Sequence, residues 1–204
     1  MLYKIGRGLL RLFYHNFCKL KYIDKDKIPK TGGVILASNH VSYHDPFVVG
    51  IVLRKRKINF MAKKELFDKK IMGKFITIMG AFPVERDKFD RKVLKKALSL
   101  LKNGEALGMF PEGTRSEDGK VGEGKHGAAM ISLMADVPIV PTAITGTLNA
   151  KIKSGIIPKY KQIIVKYGDP IYPDQFEGSR KEKMQKITDK LTESIRKLKE
   201  DLET

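Results

Sequence analysis

With a single cysteine, Cys18, the 204-residue chain cannot close an internal disulfide, so no covalent staple holds the fold. It also has no uncharged apolar stretch of the roughly 18 to 20 residues that a bilayer-crossing helix needs. The long candidates are interrupted by Asp45, Lys74, Arg86 and Asp136. The apolar positions of the N-terminus lack a small-residue cleavage site, so no secretory leader is expected. No internal repeat or low-complexity tract is visible. These absences exclude a disulfide scaffold, a solenoid and a helical membrane span, and they suit a reducing, cytosol-facing environment. Acidic residues are in deficit too, since 23 Asp plus Glu face 40 Lys plus Arg and leave a formal charge of +17. An excess of that size calls for an anionic counterpart: nucleic acid, anionic lipid or a phosphorylated substrate. The 42% of hydrophobic residues suffices for one domain with a packed core.

The first twenty residues narrow the choice of counterpart. Leu2, Ile5, Leu9, Leu12, Phe13, Phe17 and Leu20 recur at helical spacing, while Lys4, Arg7, Arg11, His15 and Lys19 form another row. Such a basic amphipathic helix can lie in a membrane interface, its apolar face among acyl chains and its cations on lipid phosphates. It can equally pack on its own domain, and both hold if one end packs and the other dips into lipid. Any membrane contact is expected to be peripheral, on the cytoplasmic face. Nucleic-acid binding is the competing class, but the basic residues spread over helical faces without a recognition motif or interleaved aromatics. No nucleic-acid partner is expected.

Beyond a polar connector with Pro and Gly at 24–33, short apolar runs alternate with helical segments, the pattern of an α/β fold. Strands are expected at 34–38, 58–62, 81–83, 106–110, 139–144 and 163–167, and helices at 46–53, 64–78, 89–101 and 127–134. Ser179 and Glu182 have capping-box spacing. Met184, Ile187, Leu191, Ile195, Leu198 and Leu202 then form one stripe of a C-terminal helix. Residues 1–30 are read as helix plus connector, and 31–204 as an αβ domain that includes the C-terminal helix.

Chemistry concentrates where apolar runs end. The run 33–38 leads into Asn39-His40-Val41-Ser42-Tyr43-His44-Asp45-Pro46, and open α/β sheets hold their sites at such carboxyl ends. A neutral imidazole can take a proton from an alcohol when a carboxylate fixes its tautomer. His40 and Asp45 fit those roles if a strand-to-helix turn, with Pro46 in the first helical turn, brings them together. Alone, the H-x4-D spacing also describes a histidine with a purely structural role. His40, His44 and Asp45 further suggest zinc ligands, but position 41 is Val where the H-E-x-x-H motif needs Glu, and no other Cys/His cluster supports a metal site; none is expected.

A second constellation, Phe110-Pro111-Glu112-Gly113-Thr114-Arg115-Ser116, closes the run 106–109. Gly113 can let backbone approach a ligand, Arg115 can grip a phosphate, and Glu112 can accept from ligand hydroxyls or hold Arg115. An ordinary glycine turn with a surface ion pair is the bland alternative. Gly80 to Arg86 adds another arginine beyond an apolar segment, suggesting a phosphate clamp. Val137-Pro138-Ile139-Val140-Pro141 reads as a strand that its prolines confine to an edge or irregular position.

In this order the four blocks resemble the glycerolipid acyltransferase family, typified by bacterial 1-acylglycerol-3-phosphate acyltransferases. The family pattern N-H-x4-D matches Asn39, His40 and Asp45, the second block ends at Arg86, E-G-T-R is Glu112 to Arg115, and the proline-bearing block is 137–141. The resemblance implies a mixed central sheet flanked by helices, an N-terminal amphipathic membrane-docking helix and a C-terminal helix. It also implies acyl transfer from a thioester, on coenzyme A or acyl carrier protein, to the sn-2 hydroxyl of a lysophospholipid, with no further cofactor. His40 would then be the base and Asp45 its orienter. Arg86 and Arg115 would hold the acceptor phosphate, while Glu112, Gly113 and Thr114 contribute to the acceptor site. The expected oxyanion donors are backbone N–H groups near a helix start.

Overall fold

The computed structural model describes residues 2–53, 56–85, 90–147 and 162–204. Among these, α1 (Leu2–Cys18), β1 (Lys21–Ile23), β2 (Val34–Ser38), α2 (Asp45–Gly50), β3 (Ile58–Lys63) and α3 (Lys70–Ile78) come first. They are followed by β4 (Ala81–Val84), α4 (Arg91–Lys102), β5 (Ala106–Met109), α5 (Gly127–Ala135), β6 (Ile139–Thr145), β7 (Ile164–Tyr167) and α6 (Arg180–Glu203). The strands form one seven-stranded sheet in the order β1-β7-β6-β2-β5-β3-β4. It is mixed, because only the β6–β7 pair is antiparallel.

Two apolar layers cover the faces of this sheet. One gathers Leu36, Val48, Ile58, Phe60, Val140 and Tyr167; the other gathers Ile35, Ala37, Leu101, Leu107, Ile139 and Ile187. The alternation of Ile35 and Ala37 against Leu36 follows from the two-residue period of a strand covered on both faces. At the start of α4, Asp90 accepts the Lys92 N–H; past its end Gly104 turns at φ +76°. The capping box of α6 is present, with Ser179 and Glu182 bonded reciprocally.

Two differences from the sequence expectation have local causes, and two open readings are decided. β1 was unforeseen: three residues carry too little periodicity, and the strand exists by pairing in parallel with β7. The helix expected over 64–78 divides, because a 3-10 turn at Lys64–Leu66 closes on Phe67 before α3 begins. Gly73 is pressed against the Phe67 backbone, which a Cβ would meet at 2.4 Å. Pro141 lies in β6, in the strand expected over 139–144, beside β2 and just outside the β7 ladder, which begins at Thr142. Its nitrogen lies on the same side as that of Ile139, whose N–H donates to Ile171. There β7 has ended at Tyr167, so the missing donor costs no ladder bond, while the Pro141 carbonyl still accepts from Gly168.

For α1 the sequence left both packing and an outward apolar face open. Its apolar row does not pack inward. Tyr14 and Cys18 are buried and Leu10 packs against the core, whereas Leu2, Ile5, Leu9, Leu12 and Phe17 are all at least half exposed, Leu9 at 64%. The helix therefore docks through one row and presents its apolar row outward.

Gly33 adjoins the end of α4, where a Cβ would lie 2.4 Å from the Leu101 carbonyl oxygen. Gly33→Ala is expected to destabilise the protein by about 1–3 kcal/mol through backbone displacement, read as a lower urea midpoint. Gly8→Ala in α1, where a Cβ meets nothing within 4 Å, is expected to leave the midpoint unchanged or raise it slightly.

Candidate active site

The register of the central strands assembles the site. β2 and β5 run parallel with Ala37 opposite Met109, an offset of 72 residues. The same offset persists past both strand ends: the His40 N–H donates to Glu112 Oε1 at 3.0 Å, and Arg115 Nη2 donates to the Tyr43 hydroxyl at 3.0 Å. The Ser116 N–H donates to the His40 carbonyl at 2.8 Å and links the loops a third time. On the other side Asn39 prolongs the pairing with β6, its amide bonding both the N–H and the carbonyl of Ile144 at 2.8 and 3.1 Å. Asn39 is thus a brace that holds its neighbour in place.

The His40 and Asp45 side chains meet as expected, with Nδ1 to Oδ2 at 2.8 Å. Asp45 is the first residue of α2, followed by Pro46, so the turn between strand and helix closes the distance. The same Asp45 oxygen accepts the N–H groups of Val41 and Ser42 at 2.7 Å each. Three donors on one carboxylate oxygen define its position well. With Nδ1–H directed at Asp45, Nε2 is the nitrogen left to act as a base. The Phe110 ring stacks on the imidazole with centroids 3.9 Å apart and planes 16° apart, and Phe60 lies 6.0 Å beyond it. This layer leaves His40 buried to 8% exposure and fixes its ring plane.

Val41 and Ser42 N–H, near the start of α2 where oxyanion donors were expected, are occupied by Asp45. His44 turns away from His40, its Nδ1 lying 2.7 Å from the hydroxyl of Tyr14 in α1. The three residues considered as zinc ligands therefore do not converge, and no group of three His, Cys, Asp or Glu among the described residues is placed to hold a metal.

Glu112 spans two loops, since its second oxygen accepts the Gly122 N–H at 3.0 Å. Both oxygens thus engage backbone, an arrangement that neither sequence alternative for Glu112 contained. Gly113 adopts φ +75°, and a Cβ there would meet Lys125 Nζ at 3.1 Å. Thr114 lines an open concavity with Glu112, Ser116 and Gly122. Arg115 lies over the Tyr43 ring, its guanidinium carbon 3.7 Å from the centroid. Arg86 lies outside the described residues. Phe110, Tyr43 and Tyr14 had no assigned part in the sequence reading, because only strand register and helix docking bring them here.

An α/β sheet carries a His–Asp pair at the carboxyl end of a central strand beside a Glu-Gly-Thr-Arg loop, and, with a family model matching most of its length, the chain belongs to the acyltransferase family. The acyltransferase family model matches residues 19–145, well over half of the chain. The chain is 34% identical over 206 residues to the 1-acyl-sn-glycerol-3-phosphate acyltransferase of Bacillus subtilis, covering 99% of each. Its identity to the Streptococcus pneumoniae protein of the same name is 30%, over 98% of this chain and 74% of that one. The crystal structure of the 1-acyl-sn-glycerophosphate acyltransferase PlsC from Thermotoga maritima superposes with a TM-score of 0.71 at 26% identity, covering 97% of this chain and 78% of that chain.

Burial lowers the pKa of His44 below its ordinary 6.5, with the Asp45 charge acting the other way. The fold therefore holds His44 neutral. Above about pH 6.5 neither state takes up the proton and the full stability is present; as pH falls below that value the unfolded chain protonates first and stability declines. The fall in urea midpoint from about pH 7.5 to about pH 5.5 is expected to be larger for the wild type than for His44→Gln. Equal falls would show that the burial of His44 is not their source.

Proposed function

We propose that the protein transfers a fatty acyl group from a thioester, on coenzyme A or acyl carrier protein, to the sn-2 hydroxyl of 1-acylglycerol-3-phosphate, forming phosphatidic acid. The observation that carries this reading is the His40–Asp45 contact at 2.8 Å beside the Glu112–Arg115 loop. The names of the Bacillus subtilis and Streptococcus pneumoniae relatives support the choice of acceptor.

In this mechanism His40 Nε2 removes the proton of the acceptor hydroxyl as its oxygen attacks the thioester carbonyl carbon. Asp45 holds the imidazole in the tautomer that leaves Nε2 bare and balances the imidazolium that forms. The tetrahedral intermediate collapses with cleavage of the C–S bond, and the departing sulfur takes the proton from His40. A thioester is already activated, so a base and correct positioning suffice without a protein nucleophile. Arg115 binds the acceptor phosphate from the Tyr43 ring, and Arg86 is the second cation of that clamp. Glu112 keeps His40 in register with this anion site, with Gly113 and Thr114 at its edge.

The acceptor resides in a membrane, and we assign α1 as the peripheral anchor on the cytoplasmic face. Its outward apolar row meets acyl chains, and its cations meet lipid phosphates.

Purified protein incubated with labelled thioester donors and a panel of lysophospholipids on vesicles tests the reaction. Diacylation of 1-acylglycerol-3-phosphate ahead of the other acceptors is expected, and failure of every acceptor would refute it. His40→Ala is expected to abolish turnover and Asp45→Asn to lower kcat by about a hundredfold to ten-thousandfold, with both variants still folded by circular dichroism. Arg115→Ala is expected to raise KM for the phosphate-bearing acceptor with a smaller change in kcat.

A further inference from the structure

The largest exposure of any big apolar side chain among the described residues belongs to α3, outside the motifs. Ile71 is 89% exposed and Met72, next to it, 48%. Leaving an isoleucine in water forgoes the free energy of burial, and this pair stands at the first turn of a helix whose later apolar residues, Phe75, Ile76 and Ile78, are buried or half-buried. The surrounding charge is one-sided. Lys69, Lys70 and Lys74 are exposed and have no carboxylate partner among the described residues. The only acidic residue between Glu65 and Ile78 is Asp68. Lys69, Lys70, Ile71, Met72 and Phe75 line one open concavity.

This patch is not isolated. α3 packs against α1, with Met79 facing Gly6, so the outward row of Leu2, Ile5, Leu9 and Leu12 belongs to the neighbouring helix. Both helices also touch α2, which carries Asp45. Phe75 of α3 meets Phe47 of α2 with ring centroids 5.6 Å apart, and Tyr14 of α1 meets His44 at the start of α2.

We infer that the first turn of α3 is a second membrane contact, in which Ile71 and Met72 enter the acyl region of an anionic lipid surface while Lys69, Lys70 and Lys74 bind its phosphates. Exposed aliphatic groups ringed by unpaired cations match that chemistry, with hydrocarbon beneath an anionic headgroup layer. One helix alone leaves a protein free to roll about its own axis, whereas two contacts on adjacent helices fix which face meets the bilayer. Because both helices abut α2, the face so fixed is the one beside the His40–Asp45 pair. The inference rests on the proposal that α1 docks on lipid and extends it to the orientation of the catalytic domain.

Partition onto phosphatidylglycerol vesicles, measured by sedimentation, tests it independently of turnover. Ile71→Asp combined with Met72→Asp is expected to lower the partition coefficient at least about tenfold and to keep wild-type turnover of a short-chain acceptor presented as monomers. Lys69→Gln combined with Lys70→Gln is expected to lower binding to anionic vesicles on the order of tenfold without changing binding to phosphatidylcholine vesicles. A fluorophore on Ile71→Cys is expected to be quenched by brominated acyl chains; the buried native thiol of Cys18, its pKa raised to about 11, stays unlabelled. Unchanged partition of the Ile71/Met72 variant together with an unquenched probe would overturn the inference. So would a wild-type dimer that this variant dissociates with no loss of vesicle binding, since a second copy would then be what covers the patch. Leu9→Asp combined with Leu12→Asp reads the α1 anchor separately, so failure of that reading is distinguishable from failure of this one.

Discussion

The parallel register of β2 between β5 and β6 is the constraint on which the rest of the site depends. A 72-residue offset set by four paired residues in the sheet continues into the loops and delivers Glu112 to the His40 backbone and Arg115 to the Tyr43 ring. Shifting β2 by one residue would turn every one of its side chains to the opposite face and separate these partners. The buried strands Val34–Ser38 and Ala106–Met109 resist such a slip, since residues on both faces lie in the core. Catalytic geometry is thereby secured by hydrophobic packing that has no part in the chemistry.

Within that frame the local turn does the finer positioning. Asp45 Oδ2 receives the imidazole and two amides, so the carboxylate organises its own loop while it orients His40. Phe110 closes the far side of the ring. His40 is thus located by strand end, carboxylate, aromatic layer and Glu112, with Asp45 engaging Nδ1 rather than Nε2. The base proposed here needs placement above all, because the thioester of the proposed reaction brings its own activation.

The helices at the edge connect this centre to its surroundings. α1 docks by Tyr14, Leu10 and Cys18 and turns its apolar row outward. Its Tyr14 hydroxyl contacts the histidine that precedes Asp45. The proposed lipid anchor is therefore in direct contact with the turn that carries Asp45.

Much of this was legible in the chain. The α/β alternation, the His40–Asp45 pairing through a strand-to-helix turn and the capped C-terminal helix all follow from short-range rules of periodicity, capping and turn chemistry. The same rules marked α1 as amphipathic, but whether its apolar row faces core or solvent depends on which other row the domain can accommodate, a tertiary matter. β1 was likewise invisible, because its pairing is decided by a partner over a hundred residues away. The engagement of both Glu112 oxygens by backbone, the stacking of Phe110 on His40 and the turning of His44 toward Tyr14 depend on contacts 10 to 72 residues apart. The sequence by itself determined which groups could do the chemistry and at which strand ends they emerge, since residue type and period act locally. Only the tertiary structure decided which of them meet, because strand register and helix docking are set by the packing of the whole core.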